Sequence, residues 1–257
     1  LSDALVEDTG SMYIGNDPSS TTDGANYNLA VGATALDAIT TGDYNTAIGF
    51  SALSANTTGH NDTAGGYDAL YTNTTGTRNT ANGFRALYLN TSGDYNSAFG
   101  AIALRNNTTG TRNLAIGYAA YDGADTESDN LAIGYDALGG SISGGEYNVA
   151  IGNYTMDANT EGDYNTAVGY SSLTDNTTGA ANVAYGSQSL FKNTTGSRNV
   201  AIGYQSLYQN TEGSHNTALG YNSLTNTTGS SNTALGNVAL TENTSGASNV
   251  AIGMAAL

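Results

Sequence analysis

No cysteine and no tryptophan occur in this sequence, proline occurs once, at Pro18, and Lys and Arg together number six against 22 acidic residues. Without cysteine the fold relies on no disulfide, which suits an exported protein and is otherwise neutral on redox compartment. A net charge of −16 with so few cations argues against phosphate backbones and anionic membrane surfaces, because both demand a concentrated positive patch. Nucleic acid is therefore set aside as a partner. No apolar run approaches the roughly 20 residues that span a bilayer, so membrane insertion is not expected. The opening LSDALVEDTG lacks the basic and apolar regions of a signal peptide, so the chain reads as soluble as given, either mature or a fragment.

Only 11% of the 257 residues are charged, yet 34 glycines, 18 tyrosines and an aliphatic residue recur at fixed intervals. Such regularity separates the chain from a disordered linker, whose low complexity carries few aromatics. The regularity is an internal repeat. Fifteen units begin at Ser11, Asn28, Asn45, Asp62, Asn79, Asn96, Asn113, Asn130, Asn148, Asn165, Asn182, Asn199, Asn216, Asn232 and Asn249, spaced by 17 residues with one 18 and one 16. Position 5 is glycine in all fifteen, position 3 is alanine in all but the first, and position 9 is mostly leucine. The consensus is N-[T/V/L]-A-[I/V/L]-G-Y-x-[A/S]-L-x-x-N-T-T-G-x-x.

Two glycines per unit would each cost a helix about 1 kcal/mol, which over fifteen units rules helices out. The unit has the size of one coil of a parallel β-solenoid, which buries its apolar face only against its neighbours. The expectation is an all-β chain with an atypical, capping segment over 1–10 and a solenoid of fifteen 17-residue coils over 11–257, about 70 Å long at roughly 4.8 Å per coil. Each column then becomes a ladder. Asn45, Asn113 and Asn199 at position 1 are expected to bond amide to amide between coils. Gly49, Gly117 and Gly203 at position 5 answer a positive φ or a close approach. Alanine and glycine on one face suggest approach by another chain, and Ile48 and Leu53, at positions 4 and 9, are expected to fill the interior. On that reading Gly65 and Asn82 weaken the core, and Asn82 requires a buried partner: a symmetry mate, an ordered water or an anion.

GDYNTAIG (42–49), GEYNVAIG (145–152) and GDYNTAVG (162–169) resemble the N-S-V-A-I-G signature of YadA-type heads in trimeric autotransporter adhesins. Similar N-T-A-I-G-Y-x-A-L-x-x-N-T-T-G arrays occur in phage tail fibres. The resemblance covers nearly the whole chain and implies a trimeric, left-handed parallel β-roll. The adhesin repeat is shorter by about three residues, so NTTG is extra, and neither a membrane anchor, a heptad stalk nor a chaperone domain is recognisable.

Several residues invite chemistry. Asn56, Asn73, Asn90, Asn107, Asn176, Asn193, Asn226 and Asn243 head N-x-[S/T] triplets. These are either glycosylation acceptors or, since they keep the phase of the coil, structural turns. Asp122, Asp125, Glu127 and Asp129 cluster where the repeat loses NTTG; four carboxylates suit Ca²⁺, although their spacing matches neither an EF-hand nor a nonapeptide calcium repeat. No other cofactor is suggested. The column at position 17 carries Tyr27, Tyr44, Tyr95, Tyr147 and Tyr164 with Arg78, Arg112 and Arg198. Such a column either contacts a host-surface glycan or protein or covers apolar surface between coils. Acids such as Asp157 and Asp175 sit on neighbouring coils, but no nucleophile–base set emerges and His60 and His215 lie nine coils apart, so no enzyme is expected.

The functional expectation is an extracellular structural or adhesive fibre segment, partnered by itself as a homotrimer, at a cell or virion surface. The alternatives are a filament of subunits joined end to end and, less favoured, an ice-binding solenoid, for which adjacent threonines in NTT point to opposite sides. Leu1 and Leu257 fall near the same phase of the repeat, so the last coil is expected to be covered by a neighbouring molecule or by further sequence.

Overall fold

The structure is a computed structural model of the chain, and it describes residues 4–6, 10–15, 18, 21–22, 24–140 and 143–257. Contacts divide the chain into two compact units, Leu1–Ser128 and Asp129–Leu257. Among the described residues there is no helix. Unit 1 holds β1 (Ala4–Val6), β2 (Met12–Ile14), β3 (Leu29–Val31), β4 (Thr46–Ile48), β5 (Thr63–Gly65), β6 (Thr80–Asn82), β7 (Ser97–Phe99) and β8 (Leu114–Ile116). Unit 2 holds β9 (Leu131–Ile133), β10 (Val149–Ile151), β11 (Thr166–Val168), β12 (Val183–Tyr185), β13 (Val200–Ile202), β14 (Thr217–Leu219), β15 (Thr233–Leu235) and β16 (Val250–Ile252).

Strands β2 to β16 are positions 2–4 of the fifteen repeats. Within each unit they pair parallel and in register, so that Ala47 faces Ala64 and Ala201 faces Ala218. Each unit is thus a parallel β-solenoid with one coil per repeat. Strand β1 runs antiparallel along β2, with Leu5 opposite Tyr13, and so pairs the edge that β2 would present to solvent.

Three residues allow the chain to close a loop in 17 steps. Positions 7, 9 and 17 adopt left-handed backbone, as Ser51, Leu53 and Asn61 do with φ of 53°, 51° and 60°. Left-handed geometry costs an L-residue roughly 1–2 kcal/mol, whereas fully burying a leucine returns about 1.5–3. Leu53 and its equivalents from Leu36 to Leu224 are completely buried, so each of those corners is held by what it buries.

The interior is narrow and built from small groups. Alanine at position 3, as in Ala47 and Ala201, is buried beside the position-9 leucines and asparagines 1 and 12. Position 4 points outward, contrary to the expectation from spacing: Ile48 is 50% exposed. Asn82 is exposed as well, so it requires no buried partner, and Gly65 and Asn82 remove nothing from the core. The close approach at position 5 also differs from the expectation. A Cβ on Gly203, whose φ is +129°, would lie 2.7 Å from the carbonyl carbon of Gly220 in the next coil. The glycines let successive coils of one chain stack, and the alanines face inward rather than toward another molecule.

Candidate functional site

Position 1 forms a ladder of a kind the spacing did not specify. The side-chain oxygen of Asn45 accepts the backbone N–H of Asp62 at 2.9 Å, while its Nδ2 donates to the Gly59 carbonyl at 2.9 Å. Asn113 and Asn199 likewise donate through Nδ2 to the carbonyls of Glu127 and Gly213, each at 2.8 Å, and Asn199 Oδ1 accepts the backbone N–H of Asn216 at 2.9 Å. The main bonds are therefore side chain to backbone.

Amide-to-amide bonds also occur at position 1, where Asn199 donates to Asn182 Oδ1 at 3.1 Å, and they are the regular pattern at position 12, among the asparagines of the N-x-[S/T] triplets. Asn90 donates to Asn73 Oδ1 and Asn107 to Asn90 Oδ1, each at 2.8 Å, and Asn193 donates to Asn176 at 2.7 Å. Asn56, Asn73, Asn90, Asn107, Asn176 and Asn193 are all fully buried. Each also donates to the carbonyl of the glycine three residues on, at 2.9–3.1 Å. A glycan on any of these six nitrogens would have to displace those bonds. Asn243 makes the same turn, to Gly246 at 3.0 Å, in a less buried setting. In the 16-residue coil Thr227 takes the buried place and Asn226 stands beside it, half-buried.

The acidic run is explained by a compensated pair. A Cβ at position 15 collides with the side-chain oxygen of the coil's own position-12 asparagine, as it would at Gly59 with Asn56. In the coil that begins at Asn113, Ala124 replaces that asparagine and Glu127 replaces the glycine. Glu127 turns inward, 4% exposed, and its Oε2 accepts the backbone N–H groups of Asp125 and Thr126 at 3.0 and 3.1 Å. Asp125 Oδ1 accepts from the Thr108 hydroxyl at 2.5 Å. Asp122 is half-buried in unit 1, and Asp129 belongs to unit 2 with φ 62°. Among the described residues no three acidic or histidine side chains converge as a metal-holding group.

Asp62 is the one acid of the position-1 ladder. It is completely buried, and burial pushes its carboxyl up to about 7. Bonds from the Asn79 backbone N–H and the Asn73 amide oppose the rise, while the Asp94 carboxylate adds to it. In unit 2, Asp157 is raised by burial and then by Asp136. Asp175 instead pairs with Lys192 at 2.9 Å.

The surface carries two kinds of apolar column. On the outer face of the strands, positions 2 and 4 present Ile48, Phe99 and Ile116 in unit 1 and Val183, Ile202, Leu219 and Leu235 in unit 2, each more than a third exposed. Beyond the glycine corner, position 6 carries a stacked series, Phe50–Tyr67–Phe84, with centroids 5.2 and 5.6 Å apart. The position-17 column is exposed and self-stacked. Tyr27 lies on Tyr44 and Tyr147 on Tyr164, each at 5.0 Å, and Arg78 donates to the Tyr95 hydroxyl at 2.9 Å. Arg112 stands exposed in the same column, and Arg198 lies 3.5 Å from His215. The outward row at position 4 and the aromatic column at position 6 were not singled out by sequence reasoning. The signal was present, since position 4 accepts Gly65, Asn82, Phe99 and Tyr185, a range of volumes that only an open face tolerates.

Together these features define a parallel β-solenoid with an apolar outer sheet face and aromatic side columns. Compared with known proteins, the chain matches no family model, no curated protein and no solved structure.

Proposed function

We propose that the chain is a non-catalytic, adhesive fibre segment that works at a cell or virion surface and associates with copies of itself, three to an assembly, through the outer faces of its sheets. The observation that carries this reading is the outward row on the strands. Within each unit an aliphatic or aromatic residue recurs at position 4 on most coils, beside Leu, Val or Thr at position 2, and the row is half-buried or exposed among the described residues. Apolar surface repeated in this way marks an association face, and a flat parallel sheet gives a second copy a matching one. The extracellular, trimeric form follows the resemblance of the N-T-A-I-G series to the adhesin heads and tail fibres.

The threonines favour this reading over ice binding. The first threonine of each N-T-T triplet donates its hydroxyl to the next coil, as Thr57 does to Thr74 at 3.0 Å and Thr177 to Thr194 at 3.0 Å. That leaves one outward threonine in each N-T-T triplet rather than a pair. Light scattering on the Ile48→Asp/Ile202→Asp variant tests the proposal. Four or more kcal/mol per assembly are at stake on burying several such side chains, at about 1.5–3 kcal/mol each, so the variant is expected to run as a smaller species than the parent. Identical sizes for both would oppose it.

A further inference from the structure

Unit 1 carries a groove of about 560 Å³ on the side of the coil beyond the glycine corner. Phe50 and Tyr67 of position 6 form one wall, Tyr71 and Tyr88 of position 10 the other, and Thr34, Ser51 and Asp68 of position 7 lie between them. Asp37 and Ser54 stand at one end. We propose that this groove binds an uncharged oligosaccharide.

The lining supports that ligand class in four respects. First, it pairs ring carbon with acceptor oxygen. Asp68 is 6% exposed and its Oδ2 accepts from the Arg85 Nε–H at 3.3 Å, which leaves Oδ1 to accept a sugar hydroxyl in a bond strengthened by charge. Asp37 adds a second, exposed carboxylate, and Thr34 and Ser51 hydroxyls lie 2.8 Å apart on the floor.

Second, one aromatic face is open. Tyr71 stacks on Tyr88 at 5.2 Å, and Arg85 lies 5.3 Å from the Tyr88 centroid. The residue before Tyr71 in its column is Ser54, too small to cover the other face of the ring. The C–H face of a pyranose fits such a platform.

Third, charge selects among ligands. Two carboxylates in a chain of net charge −16 disfavour sialylated or sulfated sugars. The open face of Tyr71 beside two carboxylates would also suit an organic cation, so tetramethylammonium is the competing ligand that the test includes.

Fourth, the groove is long. Its lining runs from Thr34 to Tyr88, four successive coils, or about 14 Å at roughly 4.8 Å per coil, and its volume lies in the range of small-ligand sites.

The site gives the adhesive reading its ligand class, and it rests on that reading but not on self-association. The test is a glycan array of neutral, sialylated and sulfated oligosaccharides probed with the full-length chain, with calorimetry on the strongest neutral hit and on tetramethylammonium chloride. Binding confined to neutral sugars is expected, weakened at least tenfold by Asp68→Asn and by Tyr71→Ala. Ser54→Tyr is expected to abolish it by extending the Tyr71–Tyr88 stack over the open face, while melting as the parent does. Tyr118→Ala, outside the groove, is expected to leave binding unchanged. No neutral binding, a preference for acidic sugars, tighter binding of tetramethylammonium, or full binding by Ser54→Tyr would each overturn the proposal. The assembled mass of the same samples is read in parallel: an oligomer that ignores sugars rejects the groove alone, and a sugar-binding monomer rejects the self-association alone.

Discussion

The side-chain amide of Asn73 donates to Asp62 Oδ2 at 3.2 Å, and in doing so it turns away from Asn56, the partner its column would assign it. Asn56 Oδ1 is left buried and unpartnered. The same orphaned oxygen appears at Asn107 and Asn210, where the next residues in the column are Ala124 and Thr227. Each break in the ladder is thus traceable to one departure from the repeat.

Asp62 makes unit 1 sensitive to pH. Its neighbours Asn45 and Asn79 each donate through Nδ2 to a glycine carbonyl 14 residues on, and the equivalent acceptor for Asp62 is Gly76, which an ionised carboxylate cannot serve. Folding raises this carboxyl from 3.8 to about 7, so the folded state holds a proton that the unfolded chain has released. Stability is then full below pH 3.8 and is lost as pH rises toward 7, by about 4 kcal/mol in all. Asp62→Asn is expected to remove this slope and to raise stability at and above pH 7, as read by urea melts across pH. A slope unchanged in the variant would refute the assignment.

Gly203→Val is expected to prevent unit 2 from folding. The position combines a left-handed φ of +129° with the backbone of Gly220 where a side chain would begin, and valine is among the residues least able to accept either. Circular dichroism and proteolysis of the purified variant report the result; a parent-like melt would show that the coils can separate at this point.

The position-12 ladder predicts unequal costs for one substitution. Asn193→Ala deletes the donor to both Gly196 and Asn176 and the acceptor for Asn210, whereas the Asn56 oxygen already lacks a partner. Buried groups left unsatisfied cost about 1–3 kcal/mol each, so Asn193→Ala is expected to destabilise more than Asn56→Ala by ~1–2 kcal/mol. Equal losses in denaturant titration would contradict the ladder.

The solenoid itself, its one coil per repeat and the buried leucine were legible because 17-residue phase and glycine placement speak directly of coil length and corners. Orientation was not. A strand alternates, and a slip of one residue turns every side chain to the other face, so period alone cannot decide whether Ala47 or Ile48 lies inside. The constancy of alanine at position 3 marks the confined column, and the tolerance of position 4 marks the free one. The groove was less accessible still, since it depends on how left-handed residues at positions 7 and 9 bring columns 6 and 10 to face each other.

Asn82 tests that orientation. On an outward face Asn82→Ile is expected to change stability of the isolated unit by less than about 0.5 kcal/mol while strengthening self-association. Leu70→Asn, in the buried column, is expected to cost several kilocalories by burying an amide without partners. Comparable losses in the two variants would mean that position 4 is interior.

The most direct test of the self-association account is the mass of the native protein in solution, by sedimentation equilibrium at micromolar concentration. The account predicts three times the 26.1-kDa chain, falling when Ile48 and Ile202 are replaced by aspartate. A folded native monomer, with the outer rows of both units left open to water, would contradict it.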